Sequence, residues 1–250
     1  MFKVFQKVQL DKIELVKKMK KYHEIKKQRG MTLLEIIIVL GIIGTIAAGV
    51  VVLAQRAFDS RAVSDVVSNT NTVRVAMKDA YQRANGYPLS SGLASTYDVD
   101  TIKKTDTAKE AIARLVQLGK LSIDEARNGI SNDFINVGGA KTAANQGTEN
   151  GPGLKGFVVE VNGLNQDQCR TILSQVANQW DYVKVGTAAA GSYQVKAAED
   201  MTAAPGAGGE GSAGTILRSL AATGNVSITP DDIAGTCEDT PANTVILGSR

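Results

Sequence analysis

The chain has 250 residues, 43% hydrophobic and 5% aromatic, with 28 Lys and Arg against 25 Asp and Glu. The net charge of +3 averages two unlike parts: residues 1–30 hold 10 basic and 3 acidic side chains, residues 31–250 hold 18 and 22. A nucleic-acid partner needs a basic surplus on the folded part, which is lacking here beyond residue 30. The only histidine, His23, also precedes residue 31, which excludes Ser-His-Asp and Cys-His nucleophiles and histidine-ligated metal sites from the remainder.

Residues 1–30 read as a basic leader that is removed, with a short amphipathic helix expected around residues 8–25. An ordinary secretory signal places its apolar core before the cleavage point. Here the one plausible site, Gly30, precedes the apolar run, so cleavage before Met31 strips the charge and leaves the apolar part on the mature chain. A plain helix boundary is the alternative reading of Gly30.

Residues 31–54 are apolar except for one charge, Glu35. About 20 such residues span a bilayer core, and the basic flank favours retention of the leader on the cytoplasmic side. An ionised side chain in such a segment costs about 2.5–3.5 kcal/mol on insertion scales. Glu35 therefore calls for a counter-charge. The freshly exposed amine of Met31 on an identical neighbour supplies one if the two copies are offset along a common axis. The alternative is a carboxylate that snorkels to the interface. Gly44 with Ala48, and Thr45 with Gly49, place small residues four apart, which lets helices approach closely.

Helical periodicity continues through Val63, Val66, Val67, Thr70, Val73, Met77, Ala80 and Ala84. Arg61 with Asp65, and Asp79 with Arg83, are opposite charges at i,i+4. Asn85-Gly86-Tyr87-Pro88 is a stop signal. One helix over residues 32–84 is predicted, about 80 Å long at 1.5 Å per residue. Its apolar first half is expected to protrude and its amphipathic second half (55–84) to pack on a globular domain, residues 55–250.

Beyond the helix, residues 89–107 read as loop and residues 109–119 as a helix. Residues 122–127 read as a second short helix capped by Ser122 and Glu125. Strands are predicted at 134–137, 157–161, 182–185, 226–228 and 244–247. Residues 138–156 read as a glycine-rich loop and Asn162-Gly163 as a turn. Asn165 caps a helix carrying Cys169, Ile172, Leu173 and Val176. Residues 186–214 read as a long loop with at most a short strand near Tyr193, and residues 215–222 as a helix. Asp231 and Asp232 fit the first turn of a short helix after Pro230, and Trp180 with Tyr182 fits the core. The order describes an α+β fold with a mostly antiparallel sheet.

Two cysteines, Cys169 and Cys237, both fall in the part expected to be exported. An even count there favours one disulfide over two buried thiols. Gly206-Ala207-Gly208-Gly209-Glu210-Gly211 matches G-x-G-x-x-G, but no apolar strand precedes it and Pro205 abuts it, so it reads as a loop. The residues suggest no catalytic, cofactor or metal site.

The run Gly30-Met31-Thr32-Leu33-Leu34-Glu35-Ile36-Ile37-Ile38-Val39-Leu40-Gly41-Ile42-Ile43-Gly44 resembles the leader junction of type IV pilins. The leader of 30 residues and Met rather than Phe as first mature residue resemble the type IVb branch. The likeness continues through Ala54–Arg61, Val75–Arg83, Leu115–Lys120 and Asn162–Arg170. Together these are most similar to the major pilins of enteric colonisation pili, the longus and colonisation factor antigen III group, with the toxin-coregulated pilin more distant. The resemblance implies a type IV pilin fold, a long N-terminal helix half buried against an antiparallel sheet. It implies that a prepilin peptidase cuts after Gly30, that Met31 is N-methylated, and that Glu35 meets a neighbour's terminal amine. It also implies a Cys169–Cys237 disulfide bounding the so-called D-region.

The implied protein is no enzyme and needs no cofactor. It is the major subunit of a helical homo-oligomeric filament mediating adhesion, self-aggregation and colonisation. It is held in the inner membrane before an assembly platform extrudes it as an extracellular pilus, where the host cell surface is a further expected partner. The alternatives are a minor pilin or secretion-system pseudopilin, a membrane-tethered envelope enzyme or binding domain, and a single-span membrane protein that keeps its leader.

Overall fold

The computed structural model describes residues 14, 17, 18, 31–144, 146, 147, 153–207 and 214–250. Gly30, most of the expected leader helix (Glu14, Lys17 and Lys18 are described, as helix) and most of the G-x-G-x-x-G stretch lie outside the described residues. The chain divides into two compact units, Met1–Gln55 and Arg56–Arg250.

Helix α1 spans Leu33–Tyr81. In the second unit its buried stripe is Val63, Val66, Thr70, Val73, Ala76 and Met77, the three-and-four spacing that puts one helical face on a core. The helix stops three residues short of the expected end. Ala84 N–H turns back to Tyr81 O at 2.9 Å, and the chain must then thread Gly86 past Leu154, where a Cβ would lie 2.7 Å from the Leu154 amide nitrogen.

Among the described residues three further α-helices follow: α2 (Ala111–Gln117), α3 (Gln166–Val176) and α4 (Pro230–Ala234). Asn165 and Gln168 form a reciprocal capping box on α3, as Thr229 and Asp232 do on α4. Residues 122–127 carry the same box, with Ser122 Oγ accepting from Glu125 N–H and the Glu125 carboxylate accepting from Ser122 N–H. They close only a turn, because the chain leaves at once to make the Arg127–Phe134 bridge.

The strands are β1 (Asn136–Lys141), β2 (Gly156–Leu164), β3 (Tyr182–Thr187), β4 (Glu199–Asp200), β5 (Gly206–Ala207), β6 (Thr215–Arg218) and β7 (Asn243–Ser249). Among the described residues they form one sheet in the order β4-β1-β2-β7-β3-β6-β5. Every pairing is antiparallel except β1 with β4. The architecture is α+β.

Several sequence expectations fail for identifiable reasons. Residues 215–218 are a strand rather than a helix, because β3 offers a free edge and Ile216 pairs with Lys184. Residues 226–228 form no strand; Ile228 instead donates its N–H to Asn178 Oδ1 at 3.0 Å and accepts from Asn178 Nδ2. The supposed loop at 138–156 begins as strand. Gly138 and Gly139 belong to β1, where a Cβ on Gly139 would lie 2.7 Å from Tyr87 O. Asn162-Gly163 is an irregularity within β2 rather than a turn ending it, with Gly163 at φ +68°. Tyr193 lies outside any strand, yet is buried with its hydroxyl bonded to Phe134 O.

Both sheet faces are covered. The inner face presents Phe157, Val159, Val161, Val183, Val185, Val245 and Leu247 to α1, α2 and α3. The outer face presents Ala140, Val158, Tyr182 and Ile246 to Val195 and Met201 from the segment 188–205. Trp180 and Tyr182 are fully buried.

Candidate functional site

The first candidate surface is the N-terminal part of α1. Its side chains from Leu33 to Leu53 are exposed, Ile36 alone being half-buried, and include Ile37, Ile38, Leu40, Ile42, Ile43 and Ile46. The helix is long and apolar enough to cross a membrane. So large an uncovered apolar surface requires lipid or protein around it.

Met31 and Glu35 share the N-terminal end of α1. Glu35 N–H donates to Thr32 Oγ1 at 3.2 Å, and Ile36 N–H to Thr32 O at 3.2 Å. Thr32 is thus the cap and Glu35 the third helical residue, where a carboxylate faces the positive end of the helix dipole. The Thr-x-x-Glu spacing signals this in the sequence, and the sequence reading passed over it. The Glu35 side chain is exposed. Thr45 spends its hydroxyl on Ile42 O at 2.9 Å. Gly41, Gly44 and Gly49 each face open space, with nothing within 4 Å of a would-be Cβ.

The second candidate region is bounded by Cys169 and Cys237, which are joined, with S–S 2.01 Å and Cα–Cα 6.1 Å. Around this bond α3 and the 3-10 turn that follows it (Ala177–Gln179) hold the segment 225–240 by three polar ties: Arg170 Nη2 to Ala234 O, Gln166 Nε2 to Cys237 O, and the Asn178 pair with Ile228. An open groove between α3 and α4, about 520 Å³, is lined by Arg170, Ser174, Asn178, Ile228 and Ile233. Its one charged group is a guanidinium, and no carboxylate, imidazole or thiol is among its lining side chains. No cluster of three metal-binding side chains occurs among the described residues.

Two carboxylates fasten the outer layer. Glu160, at the centre of β2, is fully buried. It accepts from Gln194 N–H (2.7 Å), Val195 N–H (3.0 Å), Asn136 Nδ2 (3.0 Å) and Thr244 Oγ1 (3.2 Å). Burial pushes its carboxyl above the usual range against the pull of those donors. In return Glu199 reaches down from the layer to accept from Tyr182 Oη at 2.8 Å and Lys184 Nζ at 2.9 Å. Burial and the neighbouring Glu199 carboxylate push the Tyr182 phenol far up. Glu160 and Lys184 escaped the sequence reading. The visible signal was a single charge inside each of two otherwise apolar strands, Phe157–Val161 and Tyr182–Val185.

Comparison with known proteins gives a consistent result. The family described as toxin-coregulated pilus subunit TcpA matches residues 114–242, and the prokaryotic N-terminal methylation motif matches residues 25–51. The chain is 33% identical over 232 residues to a toxin coregulated pilin of Vibrio cholerae serotype O1, covering 89% of this chain and 90% of that protein. A second Vibrio cholerae toxin coregulated pilin is 36% identical over 160 residues, covering 63% of this chain and 62% of that protein. The crystal structure of TcpA, a type IV pilin from the El Tor biotype of Vibrio cholerae, superposes with a TM-score of 0.54 at 21% identity, covering 76% of this chain and 99% of that one. That last likeness establishes the fold.

Proposed function

This chain belongs to the toxin-coregulated pilus subunit family, and on that premise we propose that it is the major subunit of a type IVb pilus. It is a pilin, a structural subunit of a type IV pilus filament and not an enzyme. The observation that carries the finer reading is the uncovered apolar half of α1, which one chain cannot satisfy in water.

The mechanism is staged. The precursor sits in the inner membrane through residues 31–54 with its basic leader in the cytoplasm. A prepilin peptidase cuts between Gly30 and Met31, and Met31 is N-methylated. The assembly platform then moves the subunit out of the membrane, and its apolar half-helix is buried among those of other copies. Burial at about 25 cal/mol per Å² of apolar surface favours the bundle strongly once lipid is withdrawn. Within the bundle Glu35 meets the Met31 amine of a neighbour; removing one partner of such a buried pair is far costlier than the net worth of the pair. The exposed side chains of the outer layer, such as Lys196 and Asp200, face outward, and the fibre serves adhesion, self-aggregation and colonisation, with the host cell surface as partner.

Mass analysis of sheared surface fibres tests this directly. The expected result is this chain as the dominant protein, starting at methylated Met31. A chain that keeps residues 1–30 and never enters fibres overturns the reading, and a trace abundance in fibres makes it a minor subunit. Glu35→Ala is expected to abolish filaments, whereas normal filament yield removes the amine-pairing role.

A further inference from the structure

We propose that the subunit-packing surface continues past the apolar run, with Phe58 as an aromatic anchor seated in the small-residue notch Gly41–Gly49 of another copy. This rests on the filament reading above and adds to it a specific contact.

Two independent observations meet here. Among the described residues there are three phenylalanines. Phe134 and Phe157 are 1% and 0% exposed, while Phe58 is 71% exposed. It lies among Arg56, Asp59 and Arg61 on a stretch of α1 whose side chains, 55–61, are all exposed. The helix meets its own core only from Val63 onward. One exposed aromatic alone is ordinary. This one lies one turn beyond Ala54, at the end of a continuous uncovered apolar surface.

The second observation is the vacancy at the glycines. Glycine weakens a helix interior. At Gly86, Gly138 and Gly139 backbone or side-chain atoms within 3 Å of the Cβ position explain the residue. At Gly41, Gly44 and Gly49 nothing in the same chain lies within 4 Å. These positions leave room for something that approaches from outside the chain.

In a staggered array of parallel copies, the turns just beyond one copy's apolar run lie beside the apolar run of a copy displaced in that direction. An aromatic ring there meets a helix whose missing side chains form a hole. Setting residue 58 level with residues 41–49 requires an axial offset of about 14–26 Å at 1.5 Å per residue. Glu35 and the Met31 amine are level at an offset of only about 6 Å. The two contacts therefore engage different neighbours, so each copy is tied at two distances along the fibre. Arg61, three residues on, shares the helix face of Phe58 and puts a charged neighbour at the edge of the ring's site.

The test is a photo-crosslinking amino acid at position 58 in the full chain, assembled into fibres by its own machinery and mapped by mass spectrometry. The expected adduct joins residue 58 of one copy to the segment 41–49 of another. Fibres that form normally but give adducts only elsewhere, or none, overturn the anchor and leave the filament function standing. Loss of the filament function itself is read from the unsubstituted chain, which then makes no fibres. As a second measurement, Phe58→Ala is expected to lower recovered filament roughly tenfold, with Phe58→Leu intermediate. Melting of the full-length Phe58→Ala chain in detergent is expected to be unchanged. Unchanged filament recovery for Phe58→Ala refutes the anchor.

Discussion

The two halves of helix α1 share a backbone and little else. Beyond residue 62 an apolar stripe is buried on a sheet and the remaining faces are polar apart from Val75, so one partner within the chain suffices. Before residue 55 the side chains are apolar nearly all round and none is buried. A helix is a neutral carrier of side chains, and what surrounds it is set by how much of its circumference is apolar. One stripe asks for one neighbour; a full circumference asks for lipid or a bundle.

The largest expected break in this comparison comes from truncating the same kind of side chain on either half. Met77→Ala removes a fully buried side chain and is expected to cost about 2–5 kcal/mol in denaturant unfolding of the chain in detergent. Ile43→Ala removes an exposed one and is expected to leave that unfolding unchanged while weakening filaments. Equal losses of stability for the two variants would mean that the apolar half already has a partner within its own chain.

Next in size is the polar fastening on the far face of the sheet. Glu160→Ala leaves the Gln194 and Val195 N–H groups without an acceptor and takes one acceptor from Asn136 Nδ2, and is expected to cost about 2–4 kcal/mol. The pH dependence has a definite sign. Burial holds the Glu160 carboxyl above its ordinary 4.5, so the folded chain binds that proton more tightly than the unfolded one. This contribution is complete below about pH 4.5 and fades as pH rises through the raised value. The stability gap between the natural chain and Glu160→Ala should narrow with rising pH, as followed by urea unfolding at several pH values. A widening gap contradicts the assignment.

A smaller effect sharpens the buried half of the helix. Arg74 donates from Nη1 to Gln179 O at 2.9 Å and from Nε to Ser249 Oγ at 3.1 Å, and lies 4.7 Å from the centre of the Trp180 ring. It ties α1 to the end of β7. Arg74→Ala is expected to cost about 1–2 kcal/mol in the same unfolding assay, and Arg74→Lys to recover only part of it because the planar fork is lost.

The smallest effect is at Asp79, which the sequence pairs with Arg83 and the structure pairs with Lys120 at 2.5 Å. The Lys120 hydrogen bond holds the Asp79 carboxyl below its usual range. Its contribution is therefore present above the ordinary aspartate range and lost as pH falls through the lowered value. Asp79→Asn should change melting only slightly and flatten its acid limb; a variant that melts far below the natural chain would show the pair to be structural rather than superficial.

Local patterns carried much of the sequence reading. Residues 31–54 announce a helix without a partner, because apolar side chains at every angle need nothing from the rest of the chain to be recognised. The stripe Val63–Met77 announces a half-buried helix, since the period of an α-helix is fixed by its own hydrogen bonds. Asn165, and Pro230 with Asp231 and Asp232, marked helix starts because a cap is satisfied within four residues. The Cys169–Cys237 pairing needed no choice among partners.

Tertiary structure decided what local pattern leaves degenerate. Thr215–Arg218 carries residues equally suited to either element, and the open edge of β3 made it a strand. Gly138 and Gly139 read as loop until Ser90 and the Tyr87 backbone closed on them and turned permissive residues into tight ones. Glu160 read as one charge in a strand, and only the arrival of residues 194 and 195 beside Asn136 and Thr244 completed the donors that let it be buried. The physical reason is common to all three: helix period and capping are settled within a few residues of chain, whereas strand edges, close backbone approaches and buried charges are settled by atoms distant in sequence.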